Sequence, residues 1–557
     1  MKKALAILLA ALFCMSAVAC NNSSASTSSA VADTSSAAAN STESKEENPY
    51  ADPQEISVAM WGIGDIISTE EDALRDYVFE KFNVTLTAQP VTWSDYGEKI
   101  TLWAASKKLP DLVAYDAGFT QSFEDWTTGG IVRALPASAT DESKYPDLAK
   151  VLKSEWSQTL NGITESNTAY YAIPRPNYND DIQCATNDTG IILRKDWLKE
   201  ANQELPTDID SLITAVKAMM DQHPDSVGLT SYALSWLTGI MNGSCPAAMT
   251  GFRWVYADDD DATYAGKIVP VWMTKSFVDG ISDMKKCLDA GIIDPDYLLI
   301  KDEEGRDKFI NDRACGYVHS GIYPGGIAIL ETSMVSGEQA THKGEKLQDL
   351  IVGMPLMKNS DGKVEYVLSD RCWSESYLGA SVDDAKAERI CAIMDWVLSE
   401  DGFKVLKYGI PETDWTEDAN GNVTFTWGTN KDGAEYTSVQ QKYPFGGMTM
   451  LGYWSGYRSY MDQSLSADLM ACVDEYAETI KAENPEVKDM PNVKGLILGD
   501  ASTYDVLDYN ETINKFLTMT EDLTTYWENF KAQQLAQGYD QVIEEMNSLY
   551  DARNSAK

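Results

Sequence analysis

The pattern of apolar and polar positions in the first third of the chain switches repeatedly between the period of a strand and the period of a helix. Strand-like apolar runs occupy 55–61, 83–91 and 109–116, and amphipathic helical stripes occupy 69–82 and 94–106. This alternation is typical of a parallel sheet covered by helices on both faces. The sequence therefore predicts an α/β fold, in which ligands bind beyond the carboxyl ends of the strands.

The same alternation continues over the rest of the chain. Strand-like and helical patterns follow one another at 190–194, 206–220, 274–290, 314–318, 381–398 and 520–550. In the helix at 381–398, Ser381 and Asp384 stand at the spacing of an N-terminal capping box. The chain beyond its N-terminal segment is long enough for at least two domains with separate cores.

The first 52 residues differ in composition from the rest. A basic start and an apolar run from 4 to 13 lead to Ala17-Val18-Ala19 and then Cys20, which is typical of a secretory signal peptide over residues 1–20. The segment resembles the bacterial lipoprotein signal, in which acyl chains such as palmitate anchor the protein through the cysteine. An ordinary secretory signal with an incidental Cys20 is the alternative. Residues 21–52 are rich in Ser and Ala and predict a disordered tether, so we expect a lipid-anchored protein on the extracellular face of a bacterial cell membrane.

Composition narrows the classes of partner. The formal net charge of −41 argues against nucleic acid and against adsorption to anionic lipid. The 15 Trp and 28 Tyr outnumber the 13 Phe, and aromatic rings with a polar tip suit a wet ligand cleft. The cysteines after Cys20 are odd in number and form no CxxC pair, so we expect buried free thiols: Cys184, Cys245, Cys287, Cys315, Cys372, Cys391 and Cys472.

Several segments, in the same order along the chain, resemble one protein family. They are KLPDLVAYD (108–116), AYYAIPRPNY (169–178), the strand and helix at 190–219, DAGIIDPDY (289–297), FINDRACGYVHSG (309–321), VLSEDGFKVLKYGI (397–410) and the helices at 522–552. Together they resemble the extracellular solute-binding proteins of bacterial carbohydrate ABC importers, family 1, the maltose-binding-protein-like group with long lipid-anchored members. YGIPETDW (408–415) departs from the Gly-Ile-Glu-Gly that longer members often carry there.

This resemblance implies two α/β lobes, each built on a doubly wound sheet, joined by crossing segments in the type II arrangement of periplasmic binding proteins, with extra C-terminal helices. It places 53–173 and 312–370 in the N-terminal lobe, and 174–311 and 371–557 in the C-terminal lobe. The two segments at 289–297 and 309–321 would then form the second crossing. A solute, most simply an oligosaccharide, would bind between the lobes, which close by hinge bending. The protein would be a monomer without cofactor, metal or catalytic activity, and it would deliver the solute to an ABC permease.

A sugar site needs flat aromatic faces for the apolar sides of the rings and polar side chains for the hydroxyl groups. Such side chains are most useful at strand ends and near the crossings between lobes. The candidate aromatic ligands are Trp61, Trp93, Tyr96, Trp236, Trp254, Tyr256, Tyr323, Trp373 and Trp454, and the candidate polar ligands are Asp116, Asn242, Arg371 and Glu375. A tryptophan in a globular domain is often a core residue instead, and the helical stripes predict this for Trp197, Trp396 and Trp527.

Other functions find less support in the sequence. Asp258–Asp261 invites a calcium interpretation, but the glycine and glutamate of an EF-hand loop are not at the required positions, so we expect a solvated turn. None of the three histidines belongs to HExxH, and GxSxG, P-loop and GxGxxG motifs are absent from the sequence. A surface-anchored glycoside hydrolase, which needs only two carboxyl groups, remains an alternative. A sugar-binding adhesin or sensor without transport is another, and a non-sugar solute also stays possible.

Overall fold

The computed structural model describes residues 50–68, 70–92, 94–164, 169–177, 190–249, 251–300, 303–319, 324–337, 339–368, 370–433, 435–453 and 462–555. Its strands are β1 Gln54–Ala59, β2 Val84–Ala88, β3 Leu112–Tyr115, β4 Val132–Arg133, β5 Ala172–Pro176, β6 Gly190–Arg194, β7 Val227–Ser231, β8 Trp254–Tyr256, β9 Ile268–Pro270, β10 Ala314–His319, β11 Ile351–Gly353, β12 Glu365–Tyr366, β13 Cys372–Gly379, β14 Trp415–Glu417, β15 Val423–Phe425 and β16 Glu486–Val487.

The helices cover both sheets and extend to the end of the described chain. They are α1 Ile63–Ile66, α2 Ala73–Phe82, α3 Tyr96–Ala105, α4 Gln121–Thr128, α5 Pro146–Leu152, α6 Glu155–Asn161, α7 Lys195–Glu200, α8 Ile209–Gln222, α9 Leu234–Leu237, α10 Lys275–Asp289, α11 Glu304–Ile310, α12 Pro324–Glu331, α13 Leu347–Leu350, α14 Asp384–Leu398, α15 Glu400–Tyr408, α16 Val439–Lys442, α17 Ala467–Glu483, α18 Tyr509–Thr518, α19 Leu523–Gln534 and α20 Asp540–Ser555. Among the described residues, no helix is both long and apolar enough to cross a membrane.

The first sheet has the order β2-β1-β3-β13-β4, with β5 also paired to β13. β1 is parallel to β2 and β3, whereas β13 is antiparallel to β3, β4 and β5. The buried apolar residues of β1 and β3 pack with those of α2, α3 and α14 in one hydrophobic core. The predicted alternation of strands and helices at 55–116 is confirmed by β1, α2, β2, α3 and β3. The strands are apolar because both faces of the sheet are covered.

The second sheet has the order β11-β6-β10-β7. β10 is parallel to β7 and antiparallel to β6, which in turn is antiparallel to β11. Helices α8 and α10 bury their apolar stripes against this sheet, and the C-terminal helices α18, α19 and α20 contribute to the same core. A further cluster joins α12 and α17 to the other side of β10. The protein is therefore two-lobed, with one sheet in each lobe.

Strand pairing contradicts part of the predicted division of the chain. β10 and β11 lie in 312–370, which was assigned to the N-terminal lobe, but both strands belong to the second sheet. β13 lies in 371–557, assigned to the C-terminal lobe, but it forms an interior strand of the first sheet. Its last six residues are buried, and a fully buried strand needs partners on both edges. The chain therefore returns to the first sheet between β11 and β13, and the described residues 289–297 and 309–319 of the predicted second crossing are parts of the second lobe.

The helix ends show which predicted helix boundaries and capping residues are correct. The carboxylate of Asp208 caps α8 by accepting the backbone N–H of Ser211 at 2.8 Å, as the predicted start near 207 requires. For α14, however, Asp383 is the cap and accepts the N–H of Lys386 at 2.8 Å, so the predicted pair of Ser381 and Asp384 is wrong. The predicted helix at 520–550 is divided into α19 and α20, because Gly538 between them has a φ of 108°.

The cysteines and the predicted core tryptophans follow expectation where the structure describes them. Trp197, Trp396 and Trp527 are buried. Six cysteines are free thiols; five are buried and Cys372 is partly buried. Cys20 and Cys184 lie outside the described residues.

Candidate functional site

The ends of four strands of the first sheet lie side by side. Since β1 and β3 are parallel and β13 is antiparallel to both β3 and β5, the carboxyl ends of β1, β3 and β5 lie beside the amino end of β13. The residues at or just beyond these ends are Trp61, Asp116, Asn177 and Trp373. We call this set the first rim. The chain leaves it after Asn177 to enter the second sheet and returns to it at β13, so it lies on the side of the first lobe where the two lobes are connected.

Aromatic rings form a continuous cluster at the first rim. The ring centroids of Trp61 and Trp373 are 4.8 Å apart, and Trp61 stacks on Tyr115 at 6.0 Å with an interplanar angle of 12°. Trp61 is only 6% exposed, so it supports the cluster from below, while Trp373 and Tyr115 are partly exposed. Tyr96 packs edge-on against Trp61 at 5.0 Å. The phenol of Tyr96 is buried and donates to the carbonyl oxygens of Ala59 and Ala114, which makes Tyr96 a support and not a ligand-facing residue.

A buried guanidinium lies under the two tryptophans. Arg175, in β5, has no exposed surface, and its guanidinium carbon is 5.3 Å from the ring centroids of both Trp61 and Trp373. It donates to the hydroxyl of Ser374 and, at 2.5 Å, to the carbonyl oxygen of Met450. Burial lowers the pKa of Arg175 to about 10, although the nearby carboxylate of Glu375 opposes this shift. The contacts orient both indole rings from behind.

A bulge in β13 places Trp373 and Glu375 in different environments. The pairing of β13 with β5 shifts register between Cys372 and Glu375, and Ser374 between them has a φ of 60°. Such a bulge changes the alternation of side chains along a strand. As a result Trp373 is partly exposed at the first rim, whereas Glu375 is fully buried.

The carboxylate of Glu375 is surrounded by donors. Its Oε2 accepts hydrogen bonds from the N–H of Gly118 at 2.9 Å and the hydroxyl of Tyr377 at 2.7 Å, and its Oε1 accepts from the indole of Trp156 at 3.1 Å. Burial raises the pKa of Glu375 to about 7, and the donors only partly oppose this. Gly118 is required for the close approach, since a Cβ there would lie 2.3 Å from Oε1. Glu375 is therefore a structural support of the first rim that no ligand can reach directly.

Asp116 is the exposed carboxylate of the first rim. The surrounding protein raises its pKa by displacing water, and the charge of Arg175 and a hydrogen bond from Trp373 act in the opposite direction. Asp116 is thus held at the edge of the Trp373 ring. This is the arrangement that a sugar requires, with an acceptor for hydroxyl groups beside an aromatic face.

A second aromatic cluster lies in the other lobe. The ring of His319, the last residue of β10, stacks on Trp236 at 4.6 Å and on Tyr317 at 5.4 Å, and Tyr232 contacts it edge-on at 5.6 Å. His319 is paired in the sheet with Gly190, where the chain enters the second lobe from the first rim. Burial lowers the pKa of His319 to about 4, so the ring is neutral near pH 7. This cluster also lies where the lobes are connected.

The remaining predicted residues lie elsewhere. Asn242 is buried and its Oδ1 accepts the backbone N–H of Met357 at 3.2 Å, which indicates a structural role. Trp254 and Tyr256 lie in β8, and the hydroxyl of Tyr256 is 3.0 Å from that of Tyr550 in the C-terminal helix, so neither joins the two clusters. Arg371 is exposed and precedes Trp373, and its carbonyl oxygen accepts the N–H of Asn177 at 2.7 Å. Trp93, Tyr323 and Trp454 lie outside the described residues.

Several residues of the two clusters were not predicted from the sequence. Tyr115 lies inside the strand-like run at 109–116 and Arg175 inside the segment at 169–178, and nothing in the local pattern marks either residue as part of a site. Trp156 lies on the short helix α6, packs against Phe119 at 4.8 Å and is covered by the ammonium group of Lys494 at 3.9 Å. His319 directly follows the strand-like run at 314–318, and its position in the sequence does not distinguish a ligand-facing histidine from a structural one.

Two other regions carry less evidence of a ligand. A cavity of about 710 Å³ lies between α2 and β2, but its arginine, Arg75, is bonded to Asp76 and to the carbonyl oxygens of Ser68 and Glu70. At 258–261, Asp261 accepts the N–H groups of Thr263 and Tyr264 in a turn. Within the described ranges no group of three or more His, Cys, Asp or Glu side chains is arranged to hold a metal ion.

Comparison with known proteins identifies the architecture. No protein-family model matches the chain. A structure of the ABC-transporter substrate binding protein FusA of Streptococcus pneumoniae in complex with kestose superimposes with a TM-score of 0.61 at 15% identity, over 91% of this chain and 100% of that one. The chain has the fold of an ABC solute-binding protein. In this solute-binding fold, the first rim and the second aromatic cluster occupy the sides of the lobes from which the connections run.

Sequence relatives are solute-binding proteins and a lipoprotein. The chain is 27% identical over 230 residues to the polygalacturonan/rhamnogalacturonan-binding protein YtcQ of Bacillus subtilis, which is 40% of this chain and 42% of that protein. It is 26% identical over 241 residues to Lipoprotein LipO of the same organism, which is 42% of this chain and 44% of that protein. The alignment thus spans less than half the length of these curated relatives.

Proposed function

We propose that this protein is the binding subunit of an ABC importer and that it captures an oligosaccharide between its two lobes. The observation that carries the proposal is the first rim, where a partly exposed Trp373 backed by Trp61 stands beside the carboxylate of Asp116. Aromatic faces with an adjacent acceptor match a sugar ring, which has apolar C–H faces and a border of hydroxyl groups. The solute-binding fold and the sugar-binding relatives support the same conclusion.

Capture requires no covalent chemistry. The ring of Trp373 would stack on one face of a sugar residue, Asp116 would accept its hydroxyl hydrogens, and Trp236 with His319 would contact the ligand from the other lobe. Contacts made only when both lobes hold the ligand would shift the protein from an open to a closed state. Because Arg175 and Glu375 fix the first rim from behind, little side-chain ordering remains to oppose binding.

Lipid attachment at Cys20 would hold the protein on the extracellular face of the bacterial cell membrane, with residues 21–52 as tether. The name of the relative LipO supports this anchor. The relative FusA, described as the substrate-binding protein of a fructooligosaccharide ABC transporter, supports delivery of the solute to a permease. We further propose that a single copy acts alone.

A binding experiment with analysis of the sugar tests this function. Purified protein is incubated with a panel of oligosaccharides, thermal unfolding is recorded, and the sugars are examined by mass spectrometry. A ligand that raises the melting temperature and is recovered intact is the expected result, with a smaller radius of gyration in X-ray scattering. Cleavage products would indicate a glycoside hydrolase instead. Tight binding without any change in overall dimensions would contradict closure and favour an adhesin or sensor.

A further inference from the structure

The first rim presents negative charge to solvent. Asp116 is exposed, and the hydrogen bond from Trp373 keeps its carboxylate beside the aromatic face. Asn177, also at the first rim, is 5% exposed, and its carbonyl oxygen Oδ1 has no hydrogen-bond partner within the described part of the chain. Both groups are acceptors. The carboxylate of Asp116 can receive the hydrogen of a sugar hydroxyl, but it cannot receive anything from an ionised carboxylate, which has no hydrogen to donate.

Two of the described cations near the first rim, Arg175 and Lys494, are engaged within the protein, whereas Arg371 is exposed. Arg175 has no exposed surface, and its guanidinium is directed to Ser374 and to the carbonyl oxygen of Met450. Lys494 forms an ion pair with Asp370 and covers the ring of Trp156. Arg175 and Lys494 are therefore engaged within the protein, and Asp116 is the charged group that a hydrogen bond from Trp373 fixes beside the ring on which a sugar would stack.

The described aromatic rings of the second cluster surround a neutral imidazole. Burial lowers the pKa of His319 to about 4, so the imidazole is neutral near pH 7. Arg306, whose charge acts on His319, is paired with Glu303 at 2.8 Å. The cluster can stack on a sugar and form neutral hydrogen bonds. The charge of Arg306 is balanced by Glu303, although its Nε–H has no hydrogen-bond partner among the described residues.

We infer that the ligand is a neutral oligosaccharide and that Asp116 determines this specificity by excluding uronates. The inference rests on the proposed function and narrows its substrate class. It sets this protein apart from its relative YtcQ, which is named for binding polygalacturonan, a polymer of acidic sugars. A uronate carboxylate stacked on Trp373 would face Asp116 at a distance of a few ångströms, where repulsion between like charges lowers affinity at least tenfold, about 1.4 kcal/mol.

Calorimetric titration with paired probes tests the inference. The probes are neutral galacto-, gluco-, xylo-, manno- and fructo-oligosaccharides, together with oligogalacturonides and glucuronic-acid-containing xylo-oligosaccharides, at pH 7.5 and low ionic strength. The expected result is a neutral ligand that binds at least tenfold more tightly than the acidic oligosaccharide of the same length. The difference should shrink in 0.5 M salt, because screening weakens charge repulsion.

Two matched variants test whether Asp116 causes the preference for neutral oligosaccharides. Asp116→Asn keeps the shape of the side chain and should reduce the ratio of neutral to acidic affinity at least threefold, whereas Asp474→Asn removes an exposed charge on α17 and should leave the ratio unchanged. Thermal unfolding of both variants verifies that they fold. An unchanged ratio in folded Asp116→Asn overturns the assignment to Asp116.

Two further outcomes separate this inference from the proposed function. An oligogalacturonide that binds as tightly as any neutral sugar overturns the inference while the proposed function stands. Loss of that binding in Arg371→Gln would then identify Arg371, the exposed arginine two residues before Trp373, as the group that binds the carboxylate. Failure of both classes of oligosaccharide to bind overturns the proposed function itself, and the inference falls with it.

Discussion

The indole N–H of Trp156 donates a 3.1 Å hydrogen bond to Oε1 of Glu375, which joins helix α6 to the interior of the first sheet. The other oxygen of the same carboxylate holds the backbone of Gly118, just after β3, and the hydroxyl of Tyr377. One buried acid thus ties together a helix, a strand end and β13. The state of this acid should affect both the stability of the first lobe and the geometry of the first rim.

We predict that Glu375 makes stability depend on pH. Its pKa is about 7 in the folded protein and 4.5 in an ordinary environment. Between these values the folded form keeps a proton that the unfolded form has lost, so the stabilising contribution is complete below pH 4.5 and is lost as pH rises through 7. The shift corresponds to about 3 kcal/mol at most. Denaturant unfolding at pH 5, 6, 7 and 8 should show this decline.

The variant Glu375→Gln has no titratable group at this position and should lose that part of the pH dependence. Glu98→Gln, which changes an exposed acid on α3, serves as the matched control and should retain the full slope. Equal slopes for the wild type and Glu375→Gln would show that another group is responsible.

We predict that Gly118→Ala destabilises the protein by about 2 kcal/mol, as overpacking of a buried site does. The new Cβ would lie 2.3 Å from Oε1 of Glu375, so the carboxylate would have to move away from its donors. Gly251→Ala is the control, because a Cβ there meets no atom within 4 Å. The two melting temperatures should differ clearly, and equal values would mean that the Glu375 site can relax without cost.

The fold of the first lobe could be predicted where the signals are local. The runs at 55–61 and 109–116 are central strands of the first sheet. Their sequences are apolar because both faces of these strands are buried. The position of β13 was not predictable in this way, because it pairs with β3 after more than 250 residues of intervening chain. The same applies to β10, whose apolar pattern fits either sheet.

The residues of the candidate site could likewise be predicted only where the signal is local. Trp61 and Asp116 could be predicted, because parallel strands bring their carboxyl ends to one edge and both residues follow such ends. Arg175 could not, since an arginine within a strand is usually exposed, and here its burial depends on Met450 and Ser374 from distant parts of the chain. Tyr256 was selected for its residue type, but its partner is Tyr550 on the last helix.

Trp373→Ala should weaken oligosaccharide binding at least tenfold, about 1.4 kcal/mol, because it removes the partly exposed ring of the first rim. Tyr256→Ala is the informative control. It removes an exposed aromatic residue that the sequence also selected, but one that lies in β8 against the C-terminal helix. Calorimetry with the best ligand of the oligosaccharide panel should show a loss in the first variant alone. Equal affinities for the wild type and Trp373→Ala would remove this ring from the site.

Arg175 offers the most direct test of how the first rim is supported. We predict that Arg175→Met destabilises the protein by about 3 kcal/mol near pH 8, because the carboxylates of Glu375 and Asp116 lose their buried counter-charge. The loss should be smaller at pH 5, where Glu375 is protonated. Oligosaccharide affinity should also fall, since Trp61 and Trp373 both lose the cation that lies 5.3 Å from each ring.

The double variant Arg175→Met with Glu375→Gln separates charge from packing. If the unpaired carboxylate causes most of the loss, removing it should recover more than half of the stability that Arg175→Met loses at pH 8, and the two substitutions should be strongly non-additive. Binding should not recover in the double variant, because the cation beneath the two indole rings is still missing. Additive losses of stability would instead mean that Arg175 acts through its hydrogen bonds to Ser374 and Met450 and not through its charge.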